Sequence, residues 1–195
     1  MKVSPTSLPG VLLIEPHVFA DPRGFFLETW HQARYRDAGL PDAFVQDNVS
    51  RSVRGSLRGL HFQEPQAQGK LVSVLEGRIY DVAVDVRVGS PGFGSWAAAT
   101  LSEENHHQLY IPEGFAHGFC VVSESALVSY KCTRPYAPEA EHTLRWDDTA
   151  IGIPWPVDAP RVSAKDAAGR TLNELAAAAA LPRYGAAAPA GAIKP

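Results

Sequence analysis

The chain has 195 residues, of which 45% are hydrophobic and 20% are charged, a composition typical of globular proteins. This composition excludes a disordered chain, which could not bury enough apolar surface to offset the conformational entropy lost on folding. The formal net charge is -3, so the chain lacks the basic excess typical of nucleic-acid-binding proteins. A small anionic ligand is compatible with this charge, because a few local arginines suffice to bind it.

Eleven segments combine alternating or β-branched apolar residues with flanking turn residues, and this pattern predicts short β-strands. The clearest alternation of apolar and polar residues is at Asp81–Val88. Many short strands at close spacing are typical of a β-barrel or β-sandwich. In chain order, the predicted strands are Val11–Glu15, Gly24–Trp30, Phe44–Ser50, Gly55–Gln63, Lys70–Leu75, Asp81–Val88, Gly94–Leu101, Gln108–Ile111, Gly118–Val122, Leu127–Thr133 and His142–Trp146.

Helices are few in the predicted structure. His31–Ala38 forms one, and Thr171–Leu181 forms another that begins at a capping box of Thr171 and Glu174. The segment from Tyr184 to the C-terminus is rich in Ala, Gly and Pro and is expected to be loose. Since no repeat or linker divides the chain, residues 1–195 are predicted to form one domain. Its core spans about 11–172, and 173–195 is a helical or loose tail.

The two cysteines, Cys120 and Cys132, are too few for a disulfide framework or a four-thiolate metal site. They flank a predicted hairpin with its turn at Ser123–Ser125 but are not opposite each other, so both are interpreted as free thiols. The longest apolar run near the N-terminus, Val11–Ile14, is too short for a signal sequence or a membrane span. The sequence therefore predicts a soluble cytoplasmic protein that does not bind membranes.

Two of the seven histidines lie in settings that suit function. His61 lies between Leu60 and Phe62, which should face the opposite side of a strand and leave His61 on a polar face. It is either a structural histidine or a general base, the role that imidazole suits near neutral pH. His117 lies in the glycine- and proline-containing segment 111–119, where the backbone is expected to bend closely around something.

Lys70 and Tyr130 have apolar residues two positions away on their predicted strands, so both side chains should extend from largely apolar faces. Lys70 is either a strand-end lysine with its ammonium group in water or a desolvated cation facing an anion. Tyr130 needs a partner for its hydroxyl group, most often a backbone carbonyl. Arg23 and Arg58 lie beside glycines, and a diphosphate would suit them because guanidinium groups bind phosphate bidentately.

Eight short motifs place these residues in a specific order along the chain. They are Asp21–Glu28, Gln46–Asn48, Arg58–Gln63, Gly69–Val72, Ile111–Phe119, Tyr130–Thr133, Trp146–Asp148 and Ser163–Asp166. Together they resemble the dTDP-4-dehydrorhamnose 3,5-epimerase family, small cupin enzymes of nucleotide-sugar metabolism. The resemblance covers about Val11–Leu172, nearly the whole chain.

The resemblance implies an all-β, cupin-type jelly-roll barrel. It also implies a homodimer in which the N-terminal part of one subunit helps to form its neighbour's site. His61 is then the base and Asp166 the carboxylate that orients it, with Tyr130 the acid on the opposite face of the sugar and Lys70 the cation beside the ketone oxygen. The residues implied to contact the nucleotide sugar are Arg23, Glu28, Gln46, Asn48, Arg58, His117, Glu141 and Lys165, with Tyr136 stacked on the thymine.

No cofactor is expected. Cupin metalloenzymes use a His-x-His pair, whereas the matching positions here are His61 and Gln63. A stable metal site needs three or four ligands, and only two candidates are present. The sequence also lacks the Gly-x-Gly-x-x-Gly dinucleotide fingerprint, so neither a metal nor a redox cofactor is predicted.

The implied reaction inverts C3 and C5 of a dTDP-4-keto-6-deoxyhexose through an enolate, because both carbons adjoin the ketone. Inversion requires a base on one face and an acid on the other. The sequence leaves open a single-centre epimerase, acting at C3 only or C5 only, of an antibiotic deoxysugar pathway. A non-catalytic sugar-binding cupin and a metal-dependent cupin oxygenase are the alternatives from other functional classes.

Overall fold

Two antiparallel β-sheets and a separate hairpin form the framework of the computed structural model, which describes residues 1–185. The predicted loose tail therefore lies largely outside the described residues. The six-stranded sheet contains β1 (Lys2–Pro5), β2 (Leu12–Glu15), β5 (Gln46–Val53), β7 (Lys70–Glu76), β10 (Gln108–Ile111) and β12 (Ser125–Cys132). The five-stranded sheet contains β6 (Leu57–Gln63), β8 (Arg78–Asp85), β9 (Trp96–Ser102), β11 (Phe115–Val121) and β13 (Glu141–Thr143).

The remaining elements are short. Strands β3 (Val18–Asp21) and β4 (Gly24–Leu27) form the separate hairpin, and the α-helices are α1 (Gln32–Asp37), α2 (Ala164–Ala167) and α3 (Leu172–Ala177). The predicted capping box of α3 is confirmed. The sequence pattern missed β1, β3 and α2. None of the helices within residues 1–185 is long and apolar enough to cross a membrane.

The strand order within the sheets is β1-β2-β10-β7-β12-β5 and β13-β6-β11-β8-β9. The predicted hairpin around Ser123–Ser125 is wrong, because β11 pairs with β6 and β8 whereas β12 pairs with β5 and β7. The short loop is instead a corner at which the chain passes from one sheet to the other. Another corner lies at Gly77, where a Cβ atom would be 2.0 Å from the carbonyl oxygen of Ser125.

The valines that gave the strongest strand signal face away from the space between the sheets. Val82 and Val84 belong to an outer cluster with Leu172 and Leu175 of α3. The alternate residues of β8 face inward, and Ala83 packs into the cluster between the sheets. The C-terminal segment therefore covers the outer face of the five-stranded sheet, while α1 and its neighbours cover part of the six-stranded sheet.

Two glycines allow β6 and β11 to approach each other closely. A Cβ atom on Gly59, whose φ is +118°, would lie 2.6 Å from Gly118 Cα, and one on Gly118 would lie 2.7 Å from the carbonyl oxygen of Arg58. No side chain fits at this distance. The bend expected around His117 is thus explained by the neighbouring strand, where the β6–β11 register is also irregular.

Truncation of Leu175, which covers the outward-facing valines of β8, should destabilise the fold. Leu175 is 1% exposed within the outer cluster, and we expect Leu175→Ala to lower the free energy of unfolding by about 2–5 kcal/mol. Leu75→Ala is the matched control, because Leu75 is 48% exposed. Urea denaturation of both variants measures the difference. Equal effects at the two positions would contradict a stabilising role for the C-terminal segment.

Candidate active site

A cavity of about 580 Å³ lies between the two sheets and is lined by residues from both. The central apolar cluster fills another part of the same interior. Of the thirteen site residues predicted from the sequence, eleven line this cavity. They are Gln46, Asn48, Arg58, His61, Lys70, His117, Tyr130, Tyr136, Glu141, Lys165 and Asp166.

One wall of the cavity contains an imidazole–carboxylate pair. His61 Nε2 lies 2.6 Å from Asp166 Oδ1, and Leu60 and Phe62 face the outer cluster as their alternation predicts. Asp166 lies in the first turn of α2, where its backbone N–H donates to the Oγ atom of Ser163. The helix thus presents a buried carboxylate to a histidine 105 residues earlier in the chain.

The charge state of Asp166 determines which nitrogen of His61 is free to react. Burial raises the pKa of Asp166, but the hydrogen bond and charge of His61 and the Ser163 contact outweigh it and hold the pKa below its ordinary value. Asp166 is therefore ionised near neutral pH and accepts a hydrogen bond from His61 Nε2. His61 Nδ1 then has the lone pair of a general base.

Glu141 connects the pair to the mouth of the site. Its Oε2 atom accepts hydrogen bonds from the Tyr136 hydroxyl group at 2.9 Å and from Lys165 Nζ at 2.8 Å. Its Oε1 atom is 4.0 Å from His61 Nδ1. Burial raises the pKa of Glu141, but these hydrogen bonds and nearby positive charges outweigh burial and hold the pKa below its ordinary value. A proton taken up by His61 Nδ1 would therefore lie beside a carboxylate.

The opposite wall belongs to the six-stranded sheet and provides Lys70 of β7 and Tyr130 of β12. Burial lowers the pKa of Lys70, and the negative charges of Glu141 and Asp81 oppose that effect. Burial raises the pKa of Tyr130, which keeps its hydroxyl group protonated. Each side chain shares a strand face with core residues two positions away, as the sequence predicted.

Two glutamine side chains hold the loop that contains Tyr136. The backbone N–H of Tyr136 donates to Gln46 Oε1 at 2.7 Å, and that of Ala137 donates to Gln63 Oε1 at 3.0 Å. Gln63 occupies the second position of the broken His-x-His pair, and its amide binds backbone in the place where a metalloenzyme would have a ligand. Within residues 1–185, no group of three or more metal-ligating side chains is arranged to hold a metal ion.

Arg58 and Asn48 line the cavity, and each forms a hydrogen bond with a residue that was not among the predicted site residues. Arg58 Nε donates to the Oγ atom of Ser52 at 2.9 Å, and Asn48 Nδ2 donates to Cys132 Sγ at 3.7 Å. Both cysteines are free, as expected, and both are buried. Cys132 is part of the cavity wall. The sequence signals for this position were its place in the Tyr130–Thr133 motif and the strand face that it shares with Tyr130.

Arg23 and Glu28 lie outside the cavity. Arg23 is exposed at the tip of the β3–β4 hairpin, where it pairs with Asp21 at 2.6 Å. Glu28 pairs with Arg34 of α1. Within the described part of a single chain, these two predicted site residues are therefore separate from the other eleven.

Comparison with known proteins shows the family of the chain. The family sequence model described as dTDP-4-dehydrorhamnose 3,5-epimerase matches residues 5–174. The chain belongs to this family. The fold expected from the sequence, an all-β cupin-type jelly roll with a short C-terminal helical segment, is confirmed.

Three relatives illustrate the extent of the match to this epimerase family. The dTDP-4-dehydrorhamnose 3,5-epimerase of Pseudomonas aeruginosa is 53% identical over 176 residues, covering 89% of this chain and 97% of that protein. The one from Neisseria gonorrhoeae is 55% identical over 172 residues, or 88% of this chain, which spans only 52% of that longer protein. The crystal structure of dTDP-6-deoxy-D-glucose-3,5-epimerase from Legionella pneumophila Philadelphia 1, in complex with dTDP-4-keto-L-rhamnose, is 50% identical. It matches with a TM-score of 0.91 over 95% of this chain and 99% of that one.

Removing the charge of Asp166 should make the acid dependence of stability shallower. Since its folded-state pKa is lowered from an unfolded value of about 3.9, its stabilisation is complete above about pH 5 and is lost as the pH falls through the folded-state pKa. We expect Asp166→Asn to cost about 1–3 kcal/mol at pH 7, and this difference to shrink below pH 4. Urea denaturation between pH 3 and 7 measures it.

The exposed pair of Asp147 and Arg145 provides the control. Asp147→Asn should change the free energy of unfolding by less than about 0.5 kcal/mol. A difference between wild type and Asp166→Asn that stayed constant down to pH 3 would show that the Asp166 charge does not stabilise the fold.

Proposed function

We propose that this protein is an isomerase that inverts C3 and C5 of a dTDP-4-keto-6-deoxyhexose, the reaction for which its family is named. The observation that supports it most directly is the placement of a base and an acid on opposite walls. The His61–Asp166 pair belongs to one side of the cavity, and Tyr130 belongs to the facing sheet. A sugar ring between them meets a proton acceptor on one face and a donor on the other.

The first step removes a proton from a carbon beside the ketone. His61 Nδ1 takes the proton, and the C–H electron pair moves into the enolate, whose negative charge lies on the ketone oxygen. Asp166 stabilises the imidazolium through Nε2, and Glu141 Oε1 lies 4.0 Å from Nδ1. The ammonium group of Lys70 stabilises the enolate oxygen, because a cation in a cavity of low dielectric interacts strongly with developing charge.

The second step returns a proton to the other face of the same carbon. The Tyr130 hydroxyl group donates it, the enolate collapses to the ketone, and the configuration is inverted. His61 then releases its proton to solvent and the tyrosinate regains one. Because C3 and C5 both adjoin the C4 ketone, one Lys70 serves both centres.

The nucleotide end of the substrate is assigned to the cations and the aromatic residue near Glu141. Arg58 and Lys165 line the cavity and suit the diphosphate, and Tyr136 is 51% exposed at the mouth, which leaves its ring available to stack on thymine. Gln46 and Asn48 provide amide groups between these positions and Tyr130. The attraction for the substrate is thus local, despite the net charge of -3.

We infer that the protein acts as a homodimer in which the β3–β4 hairpin completes the neighbour's site. This hairpin pairs only with itself in the described chain and exposes the rings of Phe19, Phe25 and Phe26. An apolar patch of this kind is typical of a protein interface. The hairpin also bears Arg23, and Glu28 follows it, so docking on a second copy would account for their absence from the cavity.

A cytoplasmic location is inferred as well. The two cysteines of the chain are free thiols in the structure, as is usual in a reducing compartment.

Proton NMR in deuterated water with dTDP-4-keto-6-deoxyglucose tests the function. We expect wild-type protein to incorporate deuterium at C3 and C5. His61→Ala should abolish exchange at both carbons, because no other group at the cavity replaces the base. His31→Ala, an exposed histidine outside the cavity, should exchange like wild type.

Each other outcome of this experiment has a distinct meaning. Label at C3 alone or C5 alone would identify a single-centre epimerase. Absence of exchange in the folded wild-type protein would favour a sugar-binding cupin and contradict the proposal. Tyr130→Phe should retain proton removal better than complete turnover; normal exchange and normal epimerisation in that variant would exclude Tyr130 as the acid.

Coexpression of Arg23→Ala with His61→Ala tests the shared site. If each site combines His61 of one subunit with Arg23 of the other, mixed dimers have one intact site, and random pairing restores roughly a quarter of wild-type sites. We expect each variant alone to be impaired and the coexpressed pair to recover activity. Failure of recovery in dimers verified by mass spectrometry would show that Arg23 does not act across the interface.

A further inference from the structure

A second imidazole–carboxylate pair lies beside the first, deeper between the sheets. His117 Nε2 is 2.7 Å from Asp81 Oδ1, and His117 is the direct cross-strand partner of His61. The side chains of His117 and Asp81 are 8% and 0% exposed, whereas that of His61 is 23% exposed. His117 lines the cavity, and Asp81 lies behind it.

Asp81 lies where a buried carboxylate destabilises the folded state. It lies on the inward face of β8, where its neighbours Ile79 and Ala83 are part of the central apolar cluster. Its Oδ2 atom is buried and has no hydrogen-bond partner among the described residues. A buried carboxylate with an unpartnered oxygen destabilises a fold relative to an apolar side chain of similar size. Its presence therefore points to a role other than stability.

The geometry of the pair defines what His117 offers to a ligand. A carboxylate only accepts hydrogen bonds, so the hydrogen of this contact belongs to His117 Nε2. The nitrogen that remains is Nδ1. It is an acceptor if the ring is neutral and a donor if the ring is an imidazolium.

The surroundings favour the neutral ring. Burial lowers the pKa of His117 below its ordinary value; the charge and hydrogen bond of Asp81 oppose this effect, while Lys70 and His61 add to it. An imidazolium at His117 would also be a second cation beside Lys70, and its charge would lower the pKa of the ammonium group that stabilises the enolate. The charge of Asp81, by contrast, raises the pKa of Lys70 and partly offsets the lowering caused by burial.

We propose that Asp81 is a positioning residue that fixes His117 as the Nε2–H tautomer, so that His117 Nδ1 accepts a hydrogen bond from a hydroxyl group of the bound sugar. This role rests on the proposed function, and it gives the His61–Asp166 and His117–Asp81 pairs different functions. His61, which is open to the cavity, gains and loses a proton. His117 keeps one protonation state and orients the ring, and Lys70 meets the oxyanion.

The tautomer is tested in the wild-type protein without substrate. Full-length protein labelled with ¹⁵N-histidine is studied by two-dimensional ¹⁵N–¹H NMR between pH 6 and 8, with the His117 signals assigned by their loss in His117→Gln. We expect a neutral ring protonated at Nε2 throughout this range. An imidazolium at pH 7, or a ring protonated at Nδ1, would overturn the proposal. This result needs no Asp81 variant to fold and no turnover.

Kinetics of Asp81→Asn then test the consequence, with Asp166→Asn as the matched variant of the other pair. Residues that orient an imidazole ligand typically contribute 10- to 100-fold, so we expect the KM of Asp81→Asn to rise about tenfold or more with kcat changed only a few-fold. Asp166→Asn should instead lower kcat. A structural defect would reduce the amount of active protein and leave KM unchanged.

Two outcomes of the Asp81→Asn kinetics contradict the proposal. Wild-type KM and kcat would show that the pair is not used, and a lower kcat at unchanged KM would show that Asp81 does not position His117 for substrate binding. Deuterium exchange by wild-type protein is independent of both results. A failure of the proposed epimerase activity itself is thereby distinguished from a failure of the Asp81 assignment.

Discussion

The hydrogen bond between His61 and Asp166 joins the barrel to the segment that follows it in the chain. Asp166 reaches His61 because residues 144–181 lie across the outer face of the five-stranded sheet, where backbone hydrogen bonds link Leu60 to Leu144 in both directions. Burial of Val82 and Val84 under this segment is favourable in its own right. The hydrophobic effect on the outside of the barrel therefore positions the Asp166 carboxylate beside His61, the proposed base, on the inside.

Local patterns in the sequence were sufficient for most strands, and the family resemblance was sufficient for most residues of the cavity. The strand pattern predicted Gln108–Ile111 with its observed bounds, and the resemblance named eleven residues that the fold brings together. Partners in space were not predictable in this way. A short polar loop fits a hairpin as well as a corner between packed sheets, so the β11–β12 connection was misassigned.

The sequence also did not predict which side chains of β8 face the interior. Alternation shows that valines and aspartates occupy opposite faces, but not which face meets solvent. Here the valines point outward because α3, nearly ninety residues later, covers them, and Asp81 consequently points inward. Arg23 and Glu28 belong to a different limit, since the proposed sharing of a site between subunits would not be visible in one chain.

Two of the three apolar clusters in the described part of this fold lie apart from the cavity. The apolar clusters under α3 and α1 lie outside the two sheets, and the cavity lies between them. Many side chains of the cavity wall can therefore change without removing packing from the outer layers. A scaffold built in this way allows substrate preference to diverge while the folded state persists.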